Sequence, residues 1–560
     1  MRIRFSWMWV VPVLLLTTFL GSVLLTYDAI WFDEWITYFI TNTGRIGADP
    51  DLFGATAVSQ MPICQDILSP DYHSILHTIC ITAIDNSWPP LFFLVLMAWD
   101  ALVGGVYFVD RILALLIGLL AVSVTYRMAS LLQDRKTGLI AALLLGTTVF
   151  FTFYMHEVRG YTLYVLMPAI NGLLYWKLLK TPNIGRATRY GFALSIIATL
   201  YTHYIGIAVV FGIGLYHVLF ARPQNIISKL RLDEEQRPAV AQQWLTILKL
   251  YINGCLVYGL WIGVLYISFV NESLNPRSVS TFSLLWSMLI GFSNNLWFIA
   301  LPAIAISLVQ FKQASVRFLW VWGLSILGVA IIGNLAADFL FHPRHIIGLL
   351  PAFSTLVAIG IVYIGKRTTD VITWGLVIVW VAAGIFYGLS TDFMNAIPQH
   401  IDAVPRTTMD SIVNTAETCG TTDDTFVFLW NTPDEEWVQD HIVTYYLFGT
   451  PVTGVTLSRL IIEEDGALPY DTSLMPDTVA EGDNDTRYAY FVGDAERVFI
   501  FKRPEIDAST NLQILETRLA DDGFIRCPYI NRDDLVADIF IRSDSDVNAT
   551  CEALVTNCGG

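Results

Sequence analysis

The sequence predicts a multi-pass α-helical membrane protein with a soluble α/β domain at its carboxyl end. Three observations carry that expectation. Residues 1–390 contain repeated uncharged stretches of roughly 17–25 residues, the length that crosses a hydrocarbon core, and residues 391–560 contain none. Only 15% of the residues are charged, against about 25% in ordinary soluble domains. The charge is also segregated. Residues 391–560 hold 10 Lys and Arg against 31 Asp and Glu, a net of −21, which leaves +5 for residues 1–390 out of a total of −16. The acidity belongs to one domain, and it argues against nucleic acid as a partner, because phosphate backbones require neutralising cations.

About 11 transmembrane helices are expected. The first, Trp7 to Tyr27, follows Met-Arg-Ile-Arg. A cleaved signal peptide is the alternative, but the stretch exceeds a signal h-region and no A-x-A-like site closes it. The others lie near 109–129, 138–155, 161–179, 190–203, 205–220, 246–270, 296–311, 318–336, 345–364 and 372–390. An odd number places the amino terminus inside and the acidic domain outside. The excess of positive charge on cytoplasmic loops agrees. Each expected inner loop is basic: Arg127, Arg135 and Lys136; Lys177, Lys180, Arg186 and Arg189; Lys229 and Arg231; Lys312 and Arg317; Lys366 and Arg367.

Three regions follow: a membrane domain over 1–390, a first extracytoplasmic loop over 28–108 within it, and an acidic extracytoplasmic α/β domain over 391–560. The loop contains a short apolar stretch from Trp88 to Leu102 that opens on Pro89-Pro90 and runs out at Gly104 and Gly105. It suits a helix lying in the outer interface. Counting it as a twelfth span would put the basic 127–136 loop outside.

Six of the seven cysteines (Cys64, Cys80, Cys419, Cys527, Cys551 and Cys558) fall on the expected outer face, as disulfides in an oxidising compartment would. Cys255 lies within a span. The pairing is not readable, with 64–80 the simplest choice. In the tail, Thr425–Trp430, Tyr488–Val492 and Arg497–Phe501 look like buried strands. Asp440–Phe448 and Leu512–Asp522 look helical, and Ala537–Arg542 alternates like a strand. Such an order makes a small layered α/β domain. It carries no nucleotide-binding or nucleophile motif, and no chemistry is assigned to it. Asn-x-Ser/Thr triplets at Asn271, Asn484 and Asn548 matter only in a host that glycosylates proteins.

The chemistry is expected at the outer ends of the spans, where charge is costly unless paired or used. After the first span, Asp33 and Glu34 stand together between Trp31 and Trp35. Adjacent carboxylates repel, which suits one of them to accept a proton; a solvated loop start is the plain alternative. After the third span come His156, Glu157 and Arg159, then Gly160 and Tyr161; a helix-end ion pair would be worth little if exposed. Before a late span stand His342, Pro343, Arg344 and His345. Arg suits a bidentate grip on phosphate, and helix amino termini favour anions.

Arg111, after Asp110, opens the second span in the same manner. His203 and Tyr204 occupy a tight outer turn, where a structural hydrogen bond is as apt as a ligand role. The outer loop 271–295, with Asn294 and Asn295, contains nothing specific. Together these groups describe an outward-facing site able to deprotonate a hydroxyl and to hold a departing phosphate by electrostatic stabilisation. Aromatic and imidazole side chains (Trp31, Trp35, His156, Tyr161 and His203) are the candidates for holding sugar or acceptor. No cluster of metal ligands is evident.

With these motifs in this order over residues 1–390, the chain resembles the polyprenyl-phosphate-sugar-dependent glycosyltransferases of the C-fold superfamily. They include the protein O-mannosyltransferases of glycosyltransferase family 39 and the lipid A aminoarabinose transferase. The motifs are Phe32-Asp33-Glu34, Trp88-Pro89-Pro90, Asp110-Arg111-Ile112-Leu113, His156-Glu157-Val158-Arg159-Gly160-Tyr161 and His342-Pro343-Arg344-His345. The resemblance implies inverting transfer of a sugar from a polyprenyl-phosphate donor to a hydroxyl of a glycan, lipid or protein, outside the cell membrane. Asp33 would be the general base, with Glu34 beside it. Glu157, Arg159 and Arg344 would shape the donor and phosphate site, with Arg111, His342 and His345 as further candidates there. No cofactor is implied beyond the donor lipid, and members of the family differ in their need for a divalent metal. Trp88 stands where members often have His, and His345 where they often have Tyr, departures that bear on specificity more than on reaction class. The competing readings are a transporter, which would want charged or broken helices near the bilayer midplane, and a non-catalytic membrane sensor or assembly protein.

Overall fold

The computed structural model of the chain describes residues 7–23, 25, 34, 37, 40–41, 75–84, 89–104, 107–181, 185–223, 237–263, 280–337, 342–390, 406–429, 447, 451–457, 484–502, 510–527, 530–532, 535–542 and 551. Trp31, Asp33, Trp35, Cys64, Trp88, Lys229, Arg231, Asn271, Asn548, Cys558 and, apart from Leu447, the expected helix over 440–448 lie outside the described residues. The chain forms two compact units. One comprises Met1–Thr26 with Ser74–Asp402, the other Tyr27–His73 with Ala403–Gly560.

The described helices of the first unit are α1 (Val10–Val23), α2 (Ile75–Ile84), α3 (Leu91–Val103), α4 (Tyr107–Leu132), α5 (Arg135–Gly146), α6 (Val149–Phe153), α7 (Tyr161–Lys180), α8 (Arg186–Thr202), α9 (Gly206–Leu219), α10 (Arg237–Val257), α11 (Thr281–Phe292), α12 (Trp297–Ser307), α13 (Ala314–Ala337), α14 (Leu350–Arg367) and α15 (Asp370–Gly388). A 3-10 turn, Pro343–Leu349, leads into α14. Among the described residues six helices are long and apolar enough to cross a membrane: Val109–Leu132, Tyr161–Lys180, Pro238–Gly263, Ala314–Leu335, Pro343–Arg367 and Asp370–Gly388. The pair Thr281–Phe292 and Trp297–Gln310, bent by 95°, makes a seventh if it is one span. The other four expected spans fall on shorter helices: α1 with 14 residues, α5 and α6 with 12 and 5, α8 with 17 and α9 with 14. Helix α3 has 13 residues and ends on Gly104 at φ 81°. At 1.5 Å per residue it rises about 20 Å, short of the ~30 Å of a hydrocarbon core.

Helix α14 is the hub. It is buried on nearly all sides, and its Gly360 lets α12 approach so closely that a Cβ there would sit 1.9 Å from the Ala303 carbonyl oxygen. Small residues commonly permit such backbone approach between membrane helices.

Two helix breaks meet beside this hub. Between α5 and α6 the ladder stops at Thr147 and Thr148; between α11 and α12 it stops at Asn294 and Asn295, both in left-handed conformation at φ 50° and 60°. Asn tolerates that region better than most residues with a Cβ. A broken helix leaves backbone groups that apolar surroundings cannot satisfy. Asn294 supplies both missing partners. Its Oδ1 accepts from the Val149 N–H at 2.8 Å, and its Nδ2 donates to the Thr147 carbonyl at 2.8 Å. Gly384 of α15 leaves the room, since a Cβ there would lie 2.1 Å from the Thr147 oxygen.

The second unit contains a six-stranded sheet of β1 (Asp424–Leu429), β2 (Thr453–Thr456), β3 (Arg497–Lys502), β4 (Phe524–Arg526), β5 (Ile530–Arg532) and β6 (Leu535–Arg542). The path is β2-β1-β3-β6-β4, with β5 also on β6. The β2–β1 and β1–β3 pairs are parallel and β6 runs antiparallel to β3. Period-two alternation sends Phe426, Phe428, Phe499 and Phe501 to one face, where Ile412 and Ala416 of α16 (Arg406–Cys419) cover them. Val427, Val498 and Ile500 face α17 (Asn484–Phe491) and α18 (Thr510–Asp521). The strand expected over 488–492 is therefore a correction: it is the end of α17. Tyr488, Phe491 and Val492 are spaced three and four apart and all face the sheet, the period of a helix. Cys527 and Cys551 form a disulfide. Cys80 and Cys419 are disulfide-bonded too, and Cys255 is a free thiol.

Replacing Asn294 by Leu strands two buried backbone groups, each costing about 1–3 kcal/mol. We expect Asn294→Leu to lower the melting temperature of the purified chain in detergent well below that of the parent, while Asn295→Gly, at the exposed neighbour, does not. Equal melting of the parent and Asn294→Leu would show that the amide is dispensable.

Candidate functional site

The site is assembled from three segments of the first unit: the loop between α6 and α7, the turn between α8 and α9, and the 3-10 turn before α14. Phe150 of α6 links the breaks to these segments. Its ring lies 5.5 Å from Phe292, 5.1 Å from Tyr154 and 6.4 Å from His342, with which it stacks. Tyr154 in turn lies 4.8 Å from Tyr161, the first residue of α7.

His342 caps the 3-10 turn, its Nδ1 accepting from the Arg344 N–H at 3.1 Å. Pro343 occupies the next position, where no N–H is needed. This local geometry buries both Arg344 and His345. The Arg344 guanidinium lies over the Tyr161 ring, 5.7 Å from its centroid, a cation–π arrangement. Arg159 is buried as well, and its backbone N–H bonds the Glu157 carbonyl at 2.8 Å. The Tyr161 ring beneath Arg344 lies 6.4 Å from the ring of His203. The His203 and His345 rings lie 6.2 Å apart.

His203 is held in a stack, with Tyr164 at 4.5 Å and 12° on one contact and Tyr204 at 4.5 Å and 27° on another. Its Nδ1 accepts from the Ile205 N–H at 3.2 Å. An Nδ1 that accepts carries no proton, so His203 and His342 both hold their ring proton on Nε2. Tyr164 owes its place to Gly348, where a Cβ would lie 2.6 Å from the tyrosine ring.

Of the residues singled out in the sequence, Tyr161, Arg159, His203, His342, Arg344 and His345 thus come together. Glu157 and His156 are buried in the same loop, His156 edge-on to Phe153 at 5.0 Å. Arg111 is buried beside Asp110, and its Nη1 donates to the Leu25 carbonyl at 3.1 Å, just beyond α1. Glu34 is buried and helical but belongs to the second unit. Tyr164 was missed; its signal was the spacing of three from Tyr161 on one helix. Among the described residues no group of three or more His, Cys, Asp or Glu side chains is gathered as a metal site.

The expected inner loops meet at the opposite ends of the same helices. Lys136 pairs with Asp370 at 2.5 Å and Lys366 with Asp134 at 3.6 Å; Gln133 bonds Ser315, and Lys180 reaches the Leu131 carbonyl. Tyr161 and Lys180 terminate one 20-residue helix, so about 30 Å separates the site from the basic loops.

Gly348→Ala should overpack the Tyr164 ring and cost about 1–3 kcal/mol. In a Tyr164→Leu background most of that loss should disappear, because neighbouring changes are non-additive. Thermal melting of the two single variants and the double variant checks this; strictly additive losses would deny the contact.

No protein-family model matches the chain, and no curated protein sequence matches it. Solved structures do. ArnT from Cupriavidus metallidurans in the apo state aligns with a TM-score of 0.52 at 14% identity, over 95% of this chain and 97% of that one. The same protein bound to undecaprenyl phosphate gives 0.49 at 14% identity, over 90% and 96% of the two chains. The Archaeoglobus fulgidus oligosaccharyltransferase tethered with an acceptor peptide gives 0.49 at 12% identity, over 97% of this chain and 74% of that one. At 14% identity the likeness to ArnT is one of fold.

Proposed function

We propose that this chain is a membrane glycosyltransferase that moves a sugar from a polyprenyl-phosphate donor to an acceptor hydroxyl on the extracytoplasmic side. One observation carries the reading. Two arginines from distant segments are buried close together: the Arg344 guanidinium lies over the ring of Tyr161, two residues beyond the buried Arg159. Guanidinium groups grip phosphate oxygens as a planar fork, and charge held ready for a leaving phosphate supports catalysis directly. The basic loops at the other end of α7 favour the cytoplasm, so the arginine end faces outward.

In the reaction we propose, the Asp33 carboxylate takes the proton of the acceptor hydroxyl, with Glu34 beside it. The acceptor oxygen attacks the anomeric carbon from the face opposite the phosphate, and a new C–O bond forms as the old one breaks. The bonding pair leaves on the phosphate oxygen, giving polyprenyl monophosphate and an inverted glycoside. Arg159 and Arg344 hold the phosphate throughout. Arg111, Glu157, His342 and His345 shape the donor site. Trp31, Trp35, His156 and Tyr161 are assigned to acceptor or sugar.

The direct experiment incubates the purified chain with a panel of polyprenyl-phosphate sugars and follows sugar release or transfer by mass spectrometry. Asp33→Asn should reduce transfer by about 100-fold or more, the usual range of a general base, with its melting temperature kept; full transfer by this variant would remove Asp33 as base. Arg344→Ala should weaken undecaprenyl phosphate binding by about tenfold or more, as loss of a charge-assisted hydrogen bond does. Parent-like affinity would take Arg344 out of the phosphate site.

A further inference from the structure

Within the proposed phosphate site one group, a sugar or acceptor candidate by its sequence position, has an unusual environment. His203 is 4% exposed. Its Nδ1 is taken by the Ile205 N–H, so the ring is neutral and its proton lies on Nε2. That Nε2 finds no hydrogen-bond partner among the described residues. A buried N–H without an acceptor is costly and rare in native proteins. The ring cannot readily turn to seek one, because Tyr164 and Tyr204 are stacked with it. Tyr164 Oη is buried without a described partner too. The stack is therefore held so as to present a neutral donor, and the Tyr161 ring 6.4 Å from His203 is the one over which the Arg344 guanidinium lies.

We infer that His203, through Nε2–H, is a neutral hydrogen-bond donor to an oxygen of a bound phosphate ester, adjoining the two arginines and completing the phosphate site. The inference rests on the glycosyltransferase reading for the identity of the phosphate. An acceptor drawn to this place meets positive charge, so it is an anion. Guanidinium groups suit phosphate oxygens, and a single N–H donor can take a further oxygen of a group whose oxygens diverge tetrahedrally. A neutral donor also grips the anion without adding a third cation to a buried site, where like charges oppose one another. Backbone capture of Nδ1 sets the tautomer and aims the ring, the part that supporting hydrogen bonds play for histidines generally.

The test uses the full chain in lipid nanodiscs, with 15N-labelled histidine, and adds undecaprenyl phosphate or inorganic phosphate alone. The His203 resonance, assigned by its loss in His203→Gln, should report the Nε2–H form, and its Nε2 proton should shift on addition of undecaprenyl phosphate. His203→Phe, which keeps a stacking ring and loses the donor, should bind undecaprenyl phosphate about tenfold more weakly. His203→Gln, whose amide restores an N–H near the same place, should recover much of that loss. If Arg344→Ala binds weakly while His203→Phe binds like the parent, the inference fails and the function reading stands. If the parent binds neither probe, the function reading fails and the inference falls with it. Binding of inorganic phosphate as tight as that of the lipid, with the same His203 dependence, would overturn the lipid assignment. Should His203→Phe not fold, the parent spectrum still decides: a silent Nε2 proton at saturating lipid refutes the inference.

Discussion

The membrane unit turns on one side-chain amide. Helices in an apolar medium satisfy their own backbones, and every interruption must find partners locally. Here two helices are interrupted at the same place, and Asn294 closes both ends of the α5–α6 gap with one acceptor and one donor. The requirement explains its neighbours. Asn294 and Asn295 take left-handed backbone to turn α11 into α12, and Gly384 is glycine because the Thr147 carbonyl occupies the space of a side chain. From that junction α6 carries Phe150 against Phe292 and His342. The site loop 154–160 then follows directly, so the position of Arg159 is inherited from a structural bond several residues away.

The same unit separates charge along its long helices. Positive groups at one end are neutralised by neighbouring loops, as Lys136 by Asp370 and Lys366 by Asp134. At the other end Arg159 and Arg344 are buried among aromatic rings and histidines. Burial matters for what these cations can do. An exposed pair of charges is screened and worth little, whereas a buried guanidinium acts at close range through a medium that polarises less than water. The Tyr161, Tyr164 and Tyr204 rings around the histidines supply that medium and fix the planes of the groups they touch.

The long uninterrupted spans were legible because hydropathy and length alone specify them; α4, α7, α13, α14 and α15 lie where apolar runs predict. The interruptions were not, since nothing in the run over 138–155 shows that Asn294, far along the chain, will satisfy a break at Thr147. Asn294 itself had no signal beyond its residue type. In the second unit, Arg497–Lys502 and Leu535–Arg542 follow the period-two pattern, but the aromatic run at 488–492 fits strand and helix alike, because five residues are too few to separate a period of two from one of 3.6. The candidate site drew on charge: ionisable residues at span ends stand out against apolar surroundings, and Arg344, His203 and His345 lie around Tyr161 and one another. Tyr164 did not stand out, because an aromatic residue one turn into a span is ordinary core. Arg111, alike in sequence context, bonds the carbonyl of Leu25 at the end of the first helix, which charge at a span end does not distinguish from a ligand.

The tautomers constrain the division of labour in the proposed chemistry. A histidine serves as a base only through an unprotonated nitrogen open to the substrate. In His203 and His342 that nitrogen is Nδ1, and each accepts a backbone N–H from a residue two positions along. Neither ring, held this way, offers a lone pair to an incoming hydroxyl; each offers a proton donor on Nε2. Donors suit an anion that must be held as it departs, and they are the wrong groups for taking a proton. The base is then neither of these two rings, and the proposed reaction gives that task to a carboxylate. A leaving phosphate wants positive charge and N–H groups, while a hydroxyl losing its proton wants negative charge; placing both demands on one cluster would let the charges cancel. Keeping His203 and His342 as donors only, with proton removal on a carboxylate such as Asp33 as proposed, avoids that cancellation.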